Sequence, residues 1–167
     1  LAKAQPGKLT LASGGNGSIS HLSIELLKSM AGINVLHVPY KGAAPALTDI
    51  ASGQVSGMII NIPSALPLLQ AGKLKALAVS SPKPAAALPD VPTLDAAGVP
   101  GYQTLAWFGF MLPAGTPAEV VRTLHQKTAE ALAHPDVKQT LAKLGADASG
   151  LGPAEFAAHV KSEMAKY

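Results

Sequence analysis

The sequence predicts an α/β fold with a mostly parallel sheet flanked by helices, and three observations support this. Short β-rich segments alternate with helical patterns along residues 1–80. These β-rich segments are nearly all apolar, as in strands that are covered on both faces, rather than alternately apolar and polar. Glycines follow the helical patterns at Gly32, Gly53 and Gly72, as is common where helices end. The 167 residues suit about one domain.

The predicted elements of residues 1–80 form a regular strand–helix series. In chain order they are a strand at 8–13, a helix at 18–31, a strand at 34–38, a helix at 43–52, a strand at 55–60, a helix at 65–71 and a strand at 75–80. The first helix is expected to bury one face that carries Ile19, Leu22, Leu26, Leu27 and Met30. Each helix would connect two neighbouring parallel strands.

The second half of the chain has a different pattern. Prolines among alanines and acids predict a long irregular connection at 81–101, followed by a strand at 104–111. Three helices are then predicted, the first opened by Pro117 with Thr116 as its cap, the second starting at Pro135 and the third near Pro153. Their expected buried stripes are Val120, Val121, Leu124, Thr128, Ala131 and Leu132 in the first, Val137, Leu141 and Leu144 in the second, and Phe156, Val160, Met164 and Tyr167 in the third. Because these helices follow one another without comparable strands, we expect them to pack on a sheet whose strands are mostly absent from this sequence.

The net charge of +3 is unevenly distributed. Residues 1–80 hold six lysines and two acids, whereas residues 81–167 hold seven basic residues and eight acids. The first part is therefore electropositive, as a site for an anion requires. Aromatic residues make up only 4% and the basic residues do not cluster, which argues against nucleic-acid binding. No apolar run reaches the ~18 residues of a membrane-spanning helix, and the chain has no cysteine.

The most informative segment is the loop Gly14-Gly15-Asn16-Gly17-Ser18, which connects the first predicted strand directly to the first predicted helix. Such a connection directs backbone amides at open space beside the positive end of a helix dipole, where a carboxylate or phosphate binds well. One helix N-terminus contributes about 0.3–1 kcal/mol, or up to about 2 kcal/mol when partly buried, whereas micromolar affinity needs about 8 kcal/mol. We therefore expect Tyr40-Lys41-Gly42 and Asn61-Ile62-Pro63-Ser64, which follow the next two strands, to close over the same ligand.

Nucleotide, metal and catalytic sites fit this loop poorly. A P-loop requires Lys after its last glycine, where Ser18 stands, and the dinucleotide fingerprint requires a third glycine where Ser20 stands. We expect Ser18 to cap the helix, and His21 to orient the loop or contact the ligand, rather than the two to form a catalytic pair. The histidines show no metal-ligand spacing, and two acids in residues 1–80 leave few candidates for a general base. The sequence therefore predicts no catalytic residue, metal site or cofactor.

Several motifs, taken together, resemble one known family. They are Ser13 to Leu22, Val38 to Gly42, Pro63 to Pro67, Gly72 to Val79, Leu88 to Thr93, Trp107 to Gly109 and Pro113 to Pro117. In this order they resemble the Bug-type periplasmic solute receptors of tripartite tricarboxylate transporters, over essentially the whole chain. Family members are nearly twice as long, and the acid that commonly precedes their third apolar run is Ser56 here.

The resemblance implies a two-lobed, Venus-flytrap receptor that holds small organic acids in the cleft between its lobes. Residues 1–103 would be the second, ligand-binding lobe, and residues 104–167 a crossover strand with helices that pack on the first lobe, which is absent. The implied ligand-binding residues are Gly14, Gly15, Asn16, Gly17, Ser18 and His21, then Tyr40, Lys41 and Gly42, and finally Ile62, Pro63 and Ser64. The implied location is the periplasm, and the implied partners are the membrane components of the transporter.

Two other function classes stay open at this point. An effector-sensing domain of a transcription regulator shares the two-lobed α/β architecture. An acyl-transfer enzyme would use Ser18 and His21. We also expect two copies of so short a chain to form a homodimer, or to exchange the segment after residue 103, because this buries exposed apolar faces.

Overall fold

The computed structural model describes residues 1–166, which divide into one compact unit over Leu1–Ala106 and a second that begins at Trp107. Tyr167, predicted for the stripe of the last helix, lies outside the described residues. No helix within 1–166 is both long enough and apolar enough to cross a membrane.

The first unit contains a parallel sheet of three strands, which confirms the predicted α/β class. The strands are β1 (Thr10–Ser13), β2 (Leu36–Pro39) and β3 (Gly57–Met58), arranged in the order β2-β1-β3. β1 pairs with β2 in the register Thr10 to Leu36, and with β3 in the register Leu11 to Gly57. β3 is shorter than the predicted strand at 55–60, because side-chain hydroxyls replace the backbone ladder at its start: the Thr10 amide donates to Ser56 Oγ and the Ser56 amide donates to Thr10 Oγ1.

A helix follows each strand. These helices are α1 (Ile19–Ala31), α2 (Ala43–Ala51) and α3 (Ile62–Gln70). As predicted, Ser18 caps α1, and Gly32 ends it in the left-handed conformation with φ +60°. α3 begins three residues before the predicted helix at 65–71, because residues 62–64 form its first turn, where a proline is well tolerated.

The core of the first unit consists of small side chains. Ala12, Ala46 and Val55 are buried together, and Tyr40, Ile50 and Met58 pack against them. α1 and α2 both pack against β1. The predicted buried stripe of α1 is wrong at its ends, because Ile19 is 37% and Met30 42% exposed. The buried residues of α1 are instead Ser23 and Ile24, and the Tyr102 hydroxyl donates to the Ser23 carbonyl.

Two predicted strands do not form within residues 1–166. The segment 75–80 makes only an isolated parallel bridge, Val79 to Thr93, because its partner lies in the proline-rich connection and prolines lack the N–H that a ladder needs. At 104–111, the Thr104 amide donates to the Ser80 carbonyl at 3.0 Å, but the following residues join no strand. Phe108 is 87% exposed.

The second unit is helical, with α4 (Ala118–Ala133), α5 (Pro135–Lys143) and α6 (Pro153–Lys166). α4 begins one residue later than predicted, with Pro117 at the cap position, and the Thr116 hydroxyl donates to the Pro113 carbonyl instead of capping. The predicted buried stripes are wrong in this unit, because none of these helices has a buried residue among the described ones. Trp107 packs edge-on against Phe156 and His159 of α6.

Candidate functional site

A cavity of about 170 Å³ lies in the first unit, at the carboxyl edge of the sheet. It is bounded by the connection from β1 to α1 and by the connection from β3 to α3. β1 and β3 are neighbours in the sheet. The carboxyl end of a parallel sheet, where the strand order reverses, is the usual place for a ligand in this type of fold. Its lining residues are Gly14, Ile19, Ser20, Ser23, Ala43, Met58, Ile59, Ile60, Asn61, Ser80, Thr104 and Ala106.

The lining is neutral, with hydrogen-bonding groups on one part and aliphatic groups on the other. The polar side chains are those of Ser20, Ser23, Asn61, Ser80 and Thr104, and no charged side chain is among the lining residues described. Residues at the N-termini of all three helices of this unit contribute to the wall: Ile19 and Ser20 of α1, Ala43 of α2, and Asn61, the cap of α3. Helix N-termini that converge in this way make a cavity without lysine or arginine electropositive.

The glycine-rich loop is held largely by the chain's own acceptors. The amides of Gly14 and Gly15 donate to the hydroxyls of Ser20 and Ser13, the Gly17 amide donates to His21 Nδ1, and the Ser18 amide donates to the Gly15 carbonyl. These bonds shape the loop and leave those four amides engaged. In the first turn of α1, by contrast, the described chain provides no hydrogen-bond acceptor for the amides of Ile19 and Ser20.

Two histidines stack beside this loop. The rings of His21 and His37 lie 4.0 Å apart with an interplanar angle of 11°. His21 Nε2 lies 3.9 Å from Glu25 Oε1, and His37 Nε2 lies 2.6 Å from the hydroxyl oxygen of the fully buried Ser13. Burial lowers the pKa of His37, and the nearby His21 lowers it further. Burial and the neighbouring His21 therefore favour a neutral His37.

Ser18 does not form a catalytic pair with the His21 ring. The Ser18 hydroxyl donates to the Gly15 carbonyl at 2.6 Å and accepts from the His21 backbone amide at 3.3 Å. The His21 ring instead accepts from Gly17 through Nδ1. The hydroxyl thus acts as the helix cap that the sequence predicts.

The predicted segment 40–42 borders the glycine loop without lining the cavity. The Tyr40 hydroxyl donates to Asp49 at 2.6 Å, and this bond raises the pKa of the tyrosine. The Gly42 amide donates to the Gly14 carbonyl at 3.0 Å, and Lys41 is exposed to solvent. The bond between Gly42 and Gly14 connects the two loops.

Only one of the twelve predicted ligand-binding residues, Gly14, lines the cavity. Asn61 belongs to the predicted 61–64 segment and lines it as well, whereas Ile62, Pro63 and Ser64 lie in the first turn of α3 outside the lining. Sequence reasoning did not assign Ser20, Ser23, Ser80 or Thr104 to the site. Ser20 and Ser23 are three residues apart, which places both on one face of the helix. This spacing could have indicated that these two serines belong to one site.

Within residues 1–166, no group of three or more histidine, aspartate or glutamate side chains is arranged to hold a metal ion.

The comparison with protein families is decisive for this chain. The model of the family described as "Tripartite tricarboxylate transporter family receptor" matches residues 1–167. The chain belongs to this receptor family. A UPF0065 protein of Pseudomonas sp. is 40% identical over 167 residues, which are 99% of this chain and 50% of the relative. BugT of Bordetella pertussis is 35% identical over 144 residues, which are 86% of this chain and 44% of BugT. The Bug-type resemblance is thereby confirmed.

Two solved structures show the same fold. The R. palustris protein Rpa4515, solved with adipate, is 40% identical and aligns with a TM-score of 0.89 over 99% of this chain and 55% of its own. MatC of Rhodopseudomonas palustris, solved with bound malate, is 34% identical and aligns with a TM-score of 0.87 over 99% of this chain and 57% of its own. The chain thus spans about half the length of these relatives.

Proposed function

We propose that this chain binds small organic carboxylates as the ligand-binding part of a periplasmic solute receptor, without catalysing a reaction. The observation that carries the proposal is the neutral, donor-rich cavity at the carboxyl edge of the sheet, in a chain of a transporter-receptor family. The two neighbours solved with adipate and with malate support a dicarboxylate as the ligand. The family match favours a receptor over an effector-sensing domain of a regulator.

The carboxylate would occupy the polar part of the cavity. The amides of Ile19 and Ser20 would donate to it from the positive end of α1, and the side chains of Asn61 and Thr104, which line the same cavity, would add neutral donors from other segments. The cavity lining has no positively charged side chain that would form an ion pair with the ligand. Neutral donors therefore suit an anion that must be released again. The aliphatic part, which includes Ile60, would take the methylene groups of the ligand.

The residues predicted from the sequence stay in the proposal with modified roles. Gly14 contributes to the wall, and Gly15, Asn16, Gly17, Ser18 and His21 keep the loop in shape. Tyr40, Lys41 and Gly42 support that loop from the next connection, where the Lys41 ammonium adds positive potential. Ile62, Pro63 and Ser64 present the N-terminus of α3.

The receptor context is also proposed. Residues 1–103 would form the second lobe, and residues 104–167 would cross to the first lobe and pack on it. The membrane components of a tripartite tricarboxylate transporter would be its partners. Alone at high concentration, the chain would form a homodimer or exchange the segment after residue 103, because Phe108, Phe110 and Met111 are each more than two-thirds exposed. Light scattering that gives a monomer at high concentration would contradict this.

The test introduces a negative charge into the cavity. Asn61→Asp keeps a good helix-cap residue, but a ligand carboxylate roughly 5 Å away would then be opposed by about 3 kcal/mol at an effective dielectric constant of 20. We expect NMR titrations to show weak binding of adipate or malate, with a Kd of roughly millimolar order because only one side of the cleft contributes. Asn61→Asp should weaken this binding roughly tenfold or more.

The matched control is Asn34→Asp, which makes the same charge change before β2, outside the cavity lining. It should bind like the wild type. Equal weakening by both variants would show that only overall charge matters and would contradict binding in this cavity. Titration with hexane-1,6-diol, which has the carbon chain of adipate without its charges, should give no saturable shifts. Saturable binding of the diol with none of either diacid would refute the carboxylate proposal.

A further inference from the structure

Half of the residues that line the cavity have apolar side chains. They are Ile19, Ala43, Met58, Ile59, Ile60 and Ala106. Met58 also packs against the buried core of the first unit, so the fold itself fixes this part of the wall. An apolar wall stabilises methylene groups, and it disfavours a hydroxyl or a charge that would lose its water there.

The hydrogen bonds of the glycine-rich loop leave the Ser20 hydroxyl with no hydrogen to give to a ligand. The Ser18 hydroxyl donates its only hydrogen to the Gly15 carbonyl, and Ser18 Oγ lies 2.9 Å from Ser20 Oγ. Ser20 is therefore the donor in that pair, while its oxygen accepts from the Gly14 amide at 3.0 Å. The Ser20 hydroxyl thus shapes the wall and is not a donor for the ligand.

The other donors suit a single carboxylate. The amides of Ile19 and Ser20 and the side chains of Asn61 and Thr104 are the donors assigned to it in the proposed function. One carboxylate has about four acceptor sites, so it engages all of these groups. Among the lining residues described, this leaves only the Ser80 side chain for a further polar group of the ligand, because Ser23 is 1% exposed.

The volume of the cavity limits how much of a ligand can enter. A cavity of about 150 Å³ holds benzene, so the cavity of about 170 Å³ has room for roughly six or seven non-hydrogen atoms. One carboxylate and about four methylene groups fill this space. No charged side chain is among the lining residues described, so a second carboxylate inside the cavity would lose its water without gaining a countercharge.

We propose that the cavity selects acids in which one carboxylate is followed by an unsubstituted chain of about four methylene groups, and that Ile60 is a specificity-determining residue for this chain. A second carboxylate at the far end of the chain stays outside the cavity. A hydroxyl or carboxylate closer to the first carboxylate enters the apolar part and weakens binding. This inference rests on the proposed function and adds which small organic acids the site takes.

The experiment compares four acids by NMR titration of the wild-type chain at neutral pH and constant ionic strength: adipate, hexanoate, succinate and malate. Hexanoate is adipate without its second carboxylate, and the two should bind within about threefold of each other because that group lies outside the cavity. Succinate and malate carry their second carboxylate on a short chain that brings it inside. They should bind about tenfold more weakly than adipate, or weaker still.

A pair of matched variants tests the role of Ile60. Ile60→Thr keeps a β-branched side chain but replaces aliphatic atoms with a hydroxyl. It should weaken adipate and hexanoate binding about fourfold, the effect of one buried methylene group, without weakening malate binding. Ile62→Thr makes the same change in the first turn of α3, outside the cavity lining, and should leave all four affinities unchanged.

The wild-type titrations decide the inference even if Ile60→Thr does not fold. Malate or succinate that binds as tightly as adipate would overturn it, as would hexanoate that gives no saturable shifts. Equal weakening of adipate and malate in Ile60→Thr would show that Ile60 does not determine specificity. A wild-type chain that binds none of the four acids would refute the proposed function itself, a failure visible before any affinities are compared.

Discussion

Acidification should destabilise the first unit through the stacked histidines. Burial, and then the neighbouring His21, lower the pKa of His37 from its ordinary value of 6.5. The folded chain thus favours neutral His37, so this contribution is present above pH 6.5 and is lost as the pH falls toward the lowered pKa. Glu25 opposes the shift and Lys28 adds to it.

The size of the effect follows from the geometry of the stack. Two unit charges 4.0 Å apart repel by about 1 kcal/mol in water and by about 4 kcal/mol at an effective dielectric constant of 20. The His21 side chain is 25% exposed, and its Nε2 lies 3.9 Å from a Glu25 carboxylate oxygen, so screening favours the lower end of this range. We expect the pair to account for about 1 kcal/mol of the stability lost on acidification from neutral pH.

The assay is urea unfolding at neutral and at mildly acidic pH, followed through the NMR amide signals of β1. His37→Gln, which keeps a hydrogen-bonding partner for Ser13, should lose about 1 kcal/mol less on acidification than the wild type. His125→Gln, on α4 in the second unit, should behave like the wild type. Equal pH dependence in His37→Gln and the wild type would refute the reasoning, as would an NMR titration midpoint for His37 at or above 6.5.

Three further predictions concern caps and the buried phenol. Ser18→Ala should lower the free energy of unfolding by about 1 kcal/mol in urea, whereas Ser18→Thr, whose hydroxyl can still accept from the His21 amide and donate to the Gly15 carbonyl, should lose less; equal losses would contradict a capping role. Gly32→Ala should cost about 1 kcal/mol, because φ is +60° in open space and only strain opposes the methyl group; calorimetry that shows unchanged stability would be inconsistent with this. Burial raises the pKa of Tyr102 above its ordinary value of 10.0, so its contribution to stability should be constant below pH 10 and decline above it. In alkaline unfolding experiments, Tyr102→Phe should lack the loss of stability that comes from ionisation of this tyrosine.

The parts of the fold that depend on near neighbours were predictable. The Ser18 cap and the Gly32 terminus of α1 follow from residue types that satisfy helix ends locally. The parallel pairing of β1 follows from apolar segments alternating with helices.

The parts that depend on distant partners were not predictable. Residues 75–80 and 104–111 have the composition of strands, but a strand needs a neighbour that can complete its ladder, and Leu77 is 76% exposed instead. Sequence spacing also gives no sign that Tyr102 reaches Ser23 across 79 residues, so Thr104 could not be assigned to the cavity. In the glycine-rich loop, the amides of Gly14 and Gly17 donate to the side chains of Ser20 and His21 in the following helix. The sequence spacing alone did not indicate these bonds.

Under the proposed function, the hydrogen bonds within the glycine-rich loop have a consequence for the speed of solute capture. A wall that is already rigid in the empty protein needs no ordering when a solute arrives. Capture would then be limited by diffusion and by the electropositive field, and release by how quickly neutral hydroxyls and amides exchange their partner for water. Selection among acids would then depend on the length and shape of their carbon chains, because the cavity wall at Gly14 is already held by the chain's own hydrogen bonds.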